Sequence, residues 1–256
     1  MRARDLPERI ETWSGCTIVC FGAHPGDDVH AAGTFARLRR RGNDVHLVTY
    51  ANGDAGSRDP RMTSKRLARI RRAEQEKAAR RVGIAAGNVH LLGQRDGELA
   101  YGDRRALVQR ATAWIRRLSP HALFALDPGA GCEPLRDAGS RAAALATYDA
   151  VRAARGHLHF PELLVEGLEP WSVPVCFFFH SPEPNYWVDV ASAIDAKIDA
   201  RCAHVSQLGR RVEAYEASMH PEDRARCERA IRDDAARAGQ PHGMAYAEAF
   251  RRSTDA

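Results

Sequence analysis

An α/β sandwich built on a mostly parallel sheet is the fold that this sequence predicts, on three observations. Short apolar runs alternate with longer stretches of helical periodicity, the pattern of strand–helix–strand units. Each apolar run is bounded by Gly, Pro or Asp, so the breaks are placed by residues that end elements. The chain has 256 residues, of which 44% are hydrophobic and 28% charged, enough to bury one sizeable core and too apolar to stay disordered.

In chain order, residues 17–22, 44–50, 88–92 and 121–126 read as buried strands, joined by helices over 31–41, 64–82 and 104–118. Beyond Asp127 comes a loop rich in Gly, Pro and Cys, followed by a helix over 140–154. Residues 172–179 read as a further strand, and 194 to about 215 as one long helix. A last helical stretch begins after His220. No repeat or linker divides the chain, so one domain over 1–256 is expected. Right-handed crossovers and a parallel sheet place ligands beyond the carboxyl ends of the strands. That rule selects residues 23–30, 51–59, 94–99 and 127–139, with 180–185 as a fifth candidate.

Composition excludes several classes. The net charge of +5 comes from an Arg-rich chain with three lysines, and its basic residues alternate with apolar ones at helical spacing. They read as solvated helix faces, without the aromatic interleaving of a nucleic-acid binder. No run approaches a membrane span, and the charged start carries no secretory signal, so a cytoplasmic protein is expected. The six cysteines form no C-x-x-C pair and read as thiols. Cys132 stands in the loop after Asp127, where a soft ligand or nucleophile would sit.

The first loop, Ala23-His24-Pro25-Gly26-Asp27-Asp28, follows a strand and precedes a helix. His24 and Asp27 can aim at one cation, which is what a catalytic zinc asks of two of its three protein ligands. Equally, Asp27 or Asp28 can cap the next helix. The residues alone leave both readings open.

The longer run AHPGDDVHAAGTFARL resembles the signature of the LmbE/PIG-L de-N-acetylases. The resemblance continues through RGNDVHLVTYANGDAGS, through Arg71 and Glu74, through Arg95-Asp96-Gly97-Glu98-Leu99, and through PEPNYWVDV, AHVSQ and YAEAF. It spans roughly residues 15–252 and implies a Rossmann-like three-layer sandwich. It further implies hydrolysis of the N-acetyl group of an N-acetylglucosamine-type conjugate by zinc-activated water, and a small amino-sugar partner. His24 and Asp27 fall on metal-ligand positions, and Arg71 and Asp96 on substrate-binding ones. Two positions depart from the pattern. Gly26 stands where the family has its general base, and Glu133-Pro134-Leu135-Arg136 stands where it has H-P-D-H, so Arg136 replaces the third ligand. Arginine stays protonated and does not bind zinc.

Three outcomes are therefore carried forward. The site can be rearranged, with Asp28 or Glu133 as base and Asp137 or a displaced histidine as third ligand. It can have lost metal and turnover and serve as a binding protein, Arg136 pairing with Asp27 and Asp28 and facing the ligand. It can also run other chemistry with Glu133 as an acid/base. His180 is a candidate to reach the cleft, His30 reads as a helix-start residue, and His204 as a packing histidine.

Overall fold

The computed structural model describes residues 6–129, 137–208 and 218–254. Among these residues seven strands form one sheet: β1 (Thr17–Gly22), β2 (Asp44–Ala51), β3 (Val89–Gln94), β4 (Ala122–Leu126), β5 (Val175–Phe179), β6 (Tyr186–Asp189) and β7 (Ala247–Ser253). Their order is β3-β2-β1-β4-β5-β7-β6. The first five are parallel, and β7 runs antiparallel to both β5 and β6.

The helices are α1 (Ala32–Arg40), α2 (Ser64–Arg81), α3 (Arg104–Leu118), α4 (Ala138–Ala154), α5 (Glu162–Val165), α6 (Ile194–Cys202), α7 (Val205–Leu208) and α8 (Pro221–Gly239). Side-chain caps set several starts: Thr63 accepts from Arg66 N, Asp103 from Ala106 N, and Asp137 from Ser140 N. Helices α3 and α4 pack on each other, while α1 and α2 pack on α6. Strand order reverses between β3 and β4, so right-handed crossovers put these two sets on opposite faces. The central strands are buried along almost their whole length; β4 and β5 have no exposed residue. Phe35, Phe124, Phe177 and Phe250 stack through the middle of this core.

Two expectations are corrected. The helix expected from 194 to about 215 ends at Cys202 and resumes as α7, with His204 in the break. Apolar spacing continues through the break, which is why periodicity alone hides it. The pair β6–β7 was not expected as strands: each is short, and each pairs only with a segment about sixty residues away or with β5. Tyr186 and Trp187 are half-buried on β6, where Tyr186 Oη accepts from Ile10 N.

Among the described residues no helix is long and apolar enough to cross a membrane.

Candidate functional site

The chain reverses its order at the seam between β1 and β4, and a cleft of about 640 Å³ opens where that topology predicts a ligand crevice. Its walls come from the loops after β1, β2 and β3, the start of α4, and the α6–α7 break.

The loop after β1 is held by its own side chains. Asp27 Oδ2 accepts from the backbone N–H groups of Ala23 (2.8 Å) and His24 (3.0 Å). A β-carbon on Gly22 would stand 3.0 Å from that of Asp27, so only glycine ends β1 without displacing it. Gly26 adopts φ +100°, a conformation costly for any residue with a side chain. Gly26, which the resemblance aligns with the family's general base, thus has no side chain to carry a proton and a backbone conformation that suits glycine. Gln75, fully buried on α2, clamps the turn: it accepts from Gly26 N (2.7 Å) and donates to Asp28 Oδ1 (3.0 Å).

Arg71, one turn earlier on α2, donates to the carbonyls of Pro25 (2.6 Å) and Gly53 (3.4 Å) and so joins the first two loops. It is buried and among the described residues has no ion pair and no partner for its Nε, while the nearby Asp27, Asp96 and Glu74 carboxylates favour its charge. Glu74 accepts from Ser206 N and Oγ at 2.7 and 2.6 Å, which ties α2 to α7 and fixes His204 over the cleft.

Across the cleft His24 Nε2 lies 3.0 Å from Asp96 Oδ1. Asp96 is set by Asp54, whose Oδ1 accepts from its backbone N–H at 2.8 Å. Burial works against charge on His24, yet the Asp96 hydrogen bond and the Asp27, Asp96 and Asp137 carboxylates outweigh it and raise its pKa. Asp96 is lowered, first by the hydrogen bond from His24. The pair therefore favours imidazolium beside carboxylate, a group able to hand a proton to a leaving amine and take it back. Asp137 caps α4 through Ser140 and stands at the same wall; a β-carbon on Gly139 would come 3.1 Å from Asp137 Oδ1 and 3.4 Å from His24 Nε2.

The expected residues separate as follows. His24, Asp27, Arg71 and Asp96 line one cleft. Asp28 does not line it: it is 6% exposed, its carboxyl held by Gln75 and pushed up to about 6 by burial, so its visible role is to lock the turn. Glu133, Arg136 and Cys132 lie outside the described residues. His180 misses the cleft; its Nε2 meets His30 Nε2 at 2.7 Å beside a neighbouring cavity.

A zinc ion needs about three N, O or S protein ligands. Among the described residues no group of three His, Cys, Asp or Glu converges on one point. His24 Nε2 is engaged by Asp96, and Asp27 Oδ2 by two N–H groups. The described residues supply two zinc donors and do not by themselves fit the ion.

His204 is the site residue that sequence reasoning missed. It is 1% exposed, lines the cleft, and has no partner for either ring nitrogen among the described residues. A β-carbon on Gly26 would meet its ring at 3.4 Å. Nothing in AHVSQ alone signals this, because only the helix break turns the ring toward the first loop. Burial, helped by Arg71 and Arg201, drives its pKa down to about 3. Its proton is thus held by the unfolded chain, near pKa 6.5, and refused by the fold. The sign is that His204 costs nothing above pH 6.5 and destabilises progressively as pH falls from there toward 3. Urea midpoints at pH 7 and pH 5 are expected to differ less in His204→Gln than in the parent chain. Equal differences would show that this ring does not set the acid sensitivity.

A doubly wound α/β sheet with a His–Asp pair and a buried arginine at its carboxyl edge defines the class: an LmbE-like α/β protein with a polar cleft at the topological switch. The comparisons narrow it. Residues 19–147 match the family model described as PIG-L, GlcNAc-PI de-N-acetylase. The diacetylchitobiose deacetylase of Thermococcus kodakarensis is 30% identical over 193 residues, 75% of this chain and 70% of that protein. The chain belongs to the PIG-L family. Among solved structures, the N,N'-diacetylchitobiose deacetylase from Pyrococcus horikoshii superposes with TM-score 0.83 at 26% identity, covering 98% of this chain and 88% of the other. The 4-carboxy-2-hydroxymuconate hydratase from Pseudomonas putida gives 0.72 at 20% identity, covering 93% and 95%, a likeness of fold.

Proposed function

We propose that this PIG-L-fold chain binds an N-acetylated amino-sugar conjugate in the cleft after β1 and hydrolyses its acetamide. The observation that carries the reading is the convergence of His24, Asp27, Arg71 and Asp96 on one polar cleft. In this scheme Arg71 and Asp96 hold the sugar, and the His24–Asp96 pair protonates the departing amine. Water is the second substrate, giving acetate and a free amino sugar. The family relationship to a diacetylchitobiose deacetylase sets the first substrate to try.

The test is acetate release from N,N'-diacetylchitobiose, followed by mass spectrometry of the sugar, with and without added zinc. Loss of one acetyl mass supports the reading, and dependence on added zinc would support the metal role that the resemblance implies. Intact sugar under every condition would overturn hydrolysis of this substrate class. A second reading, a cleft that binds the sugar without turnover, is favoured by Gly26, whose backbone excludes the expected base. Saturable sugar binding with no acetate released would establish it.

A further inference from the structure

The cysteines show no pairing in the sequence, yet the fold brings two of them together. Cys202 ends α6 and is 5% exposed, and Cys227 stands half-buried on the second turn of α8. The two helices pack on each other, and both side chains belong to one small apolar cluster with Ile194, Ile198, Ile231 and Ala235. The Cys202 thiol donates a hydrogen bond to the Cys227 sulfur. Cys16, Cys20 and Cys176 differ: they are buried in the main core, where desolvation pushes each thiol up and keeps it unreactive.

The pair is asymmetric. Cys227 lines a cavity of about 530 Å³ beside the cleft, within reach of a small molecule, while Cys202 stands behind it. The hydrogen bond from Cys202 favours a thiolate at Cys227; burial opposes it, and the guanidinium groups of Arg201, Arg224 and Arg226 add to it. The nearest carboxylates are engaged, Asp199 by Arg224 at 2.5 Å and Asp223 by Arg226 at 2.8 Å. Cys202 is pushed the other way, first by the same hydrogen bond and then by burial, and keeps its proton. An accessible thiolate against a protonated neighbour is the arrangement of an attacking and a resolving cysteine.

We propose that Cys202 and Cys227 form a reversible thiol–disulfide site that staples α6 to α8 when the chain meets a low-molecular-weight disulfide. The Cys227 thiolate attacks one sulfur of that disulfide; a mixed disulfide forms and the first small thiolate leaves with the electron pair of the broken bond. Capping removes the negative charge that held the proton on Cys202. Cys202 then gives its proton to the departed thiolate and attacks the Cys227 sulfur, and the second small thiolate leaves and takes a proton from water. Two protein thiols are oxidised and one disulfide is reduced to two thiols. The bond closes residues 203–226, the segment that carries His204 and α7 over the cleft. None of this depends on deacetylation.

The full chain, first reduced, is incubated with glutathione disulfide, its remaining thiols are blocked, and its peptides are mapped by mass spectrometry. A peptide pair joined through Cys202 and Cys227 is expected, and dithiothreitol is expected to separate it. Cys202→Ser is expected to stop at the mixed disulfide, with glutathione held on Cys227, and Cys227→Ser to give neither the pair nor an adduct at Cys202. Should either variant fail to fold, the map of the parent decides. Linkage through other cysteines, no linkage, or a lasting glutathione adduct on Cys227 of the parent would overturn the proposal. Closing a loop constrains the unfolded chain, so the oxidised parent is expected to melt above the reduced one, and Cys227→Ser to melt alike in both buffers. A lower midpoint for the oxidised parent would show that packed α6 and α8 do not accept the bond, which also overturns it.

Discussion

Replacing His24 by alanine is expected to lower kcat/KM for acetate release at least about 100-fold, the lower range for removing a positioned proton carrier. The reasoning starts from geometry. His24 Nε2 sits 3.0 Å from Asp96 Oδ1, and three carboxylates, those of Asp27, Asp96 and Asp137, favour its charged form. An imidazolium held there can protonate the amine that leaves as the acetamide carbon–nitrogen bond breaks. Asp96→Asn keeps an oxygen for the ring but removes the charge that favours imidazolium. Its loss is therefore expected to be smaller and to come with a shift of the alkaline limb of the pH–rate profile to lower pH, because activity that needs the imidazolium is lost as pH rises through a lowered pKa. The shift separates proton transfer from simple loss of shape, since a packing defect lowers activity without moving the profile. Activity of His24→Ala within a fewfold of the parent would remove this pair from the mechanism.

The largest effect on stability is expected at Glu248, far from any chemistry. Its carboxylate is 4% exposed and accepts from Gly33 N (2.9 Å), Thr34 N (2.8 Å), Thr34 Oγ1 (2.6 Å) and Lys197 Nζ (2.5 Å). One side chain on β7 thus joins the start of α1 to α6. Alanine would leave two backbone donors and a hydroxyl without this acceptor, and the Lys197 ammonium with the His30 carbonyl but no carboxylate, a change that costs about 3–5 kcal/mol when a buried ion pair loses one member. For a chain of this size the melting midpoint should fall on the order of 10 °C. Glu248→Gln keeps one acceptor oxygen and should fall less. A midpoint for Glu248→Ala within about 2 °C of the parent would mean that water replaces the carboxylate, and that β7 is not needed to hold α1 and α6. Because α1 follows the first loop directly, the alanine variant is also expected to weaken sugar binding.

Much of the first half of the molecule was legible in the sequence, and the reason is local. Strands β1, β2 and β4 are buried on both faces, so their apolar runs are nearly unbroken, and Gly22, Asp44 and Asp127 mark their ends. Caps at Thr63 and Asp103 fixed the starts of α2 and α3 within the sequence itself. The later part was not legible in this way. Strands β6 and β7 exist because they pair with each other and with β5, and no property of four or seven residues announces that.

The candidate site divides along the same line. The order His24-Pro25-Gly26-Asp27, the arginine on α2 and the Asp-Gly turn after β3 were chemical signals readable in place, and parallel-sheet topology already sent them to one edge. What tertiary structure alone decided was direction and partnership. Asp27 and Asp28 are neighbours in the chain, yet one lines the cleft and the other turns inward to Gln75, because the short helical turn after Gly26 rotates consecutive side chains apart. His204 and Arg201 read as ordinary helix residues until the break after α6 places both on the wall facing Gly26 and Arg71. Residue type and spacing record what each side chain can do. Which polar atoms are buried together without partners depends on contacts between segments distant in sequence, and only the folded chain brings those about.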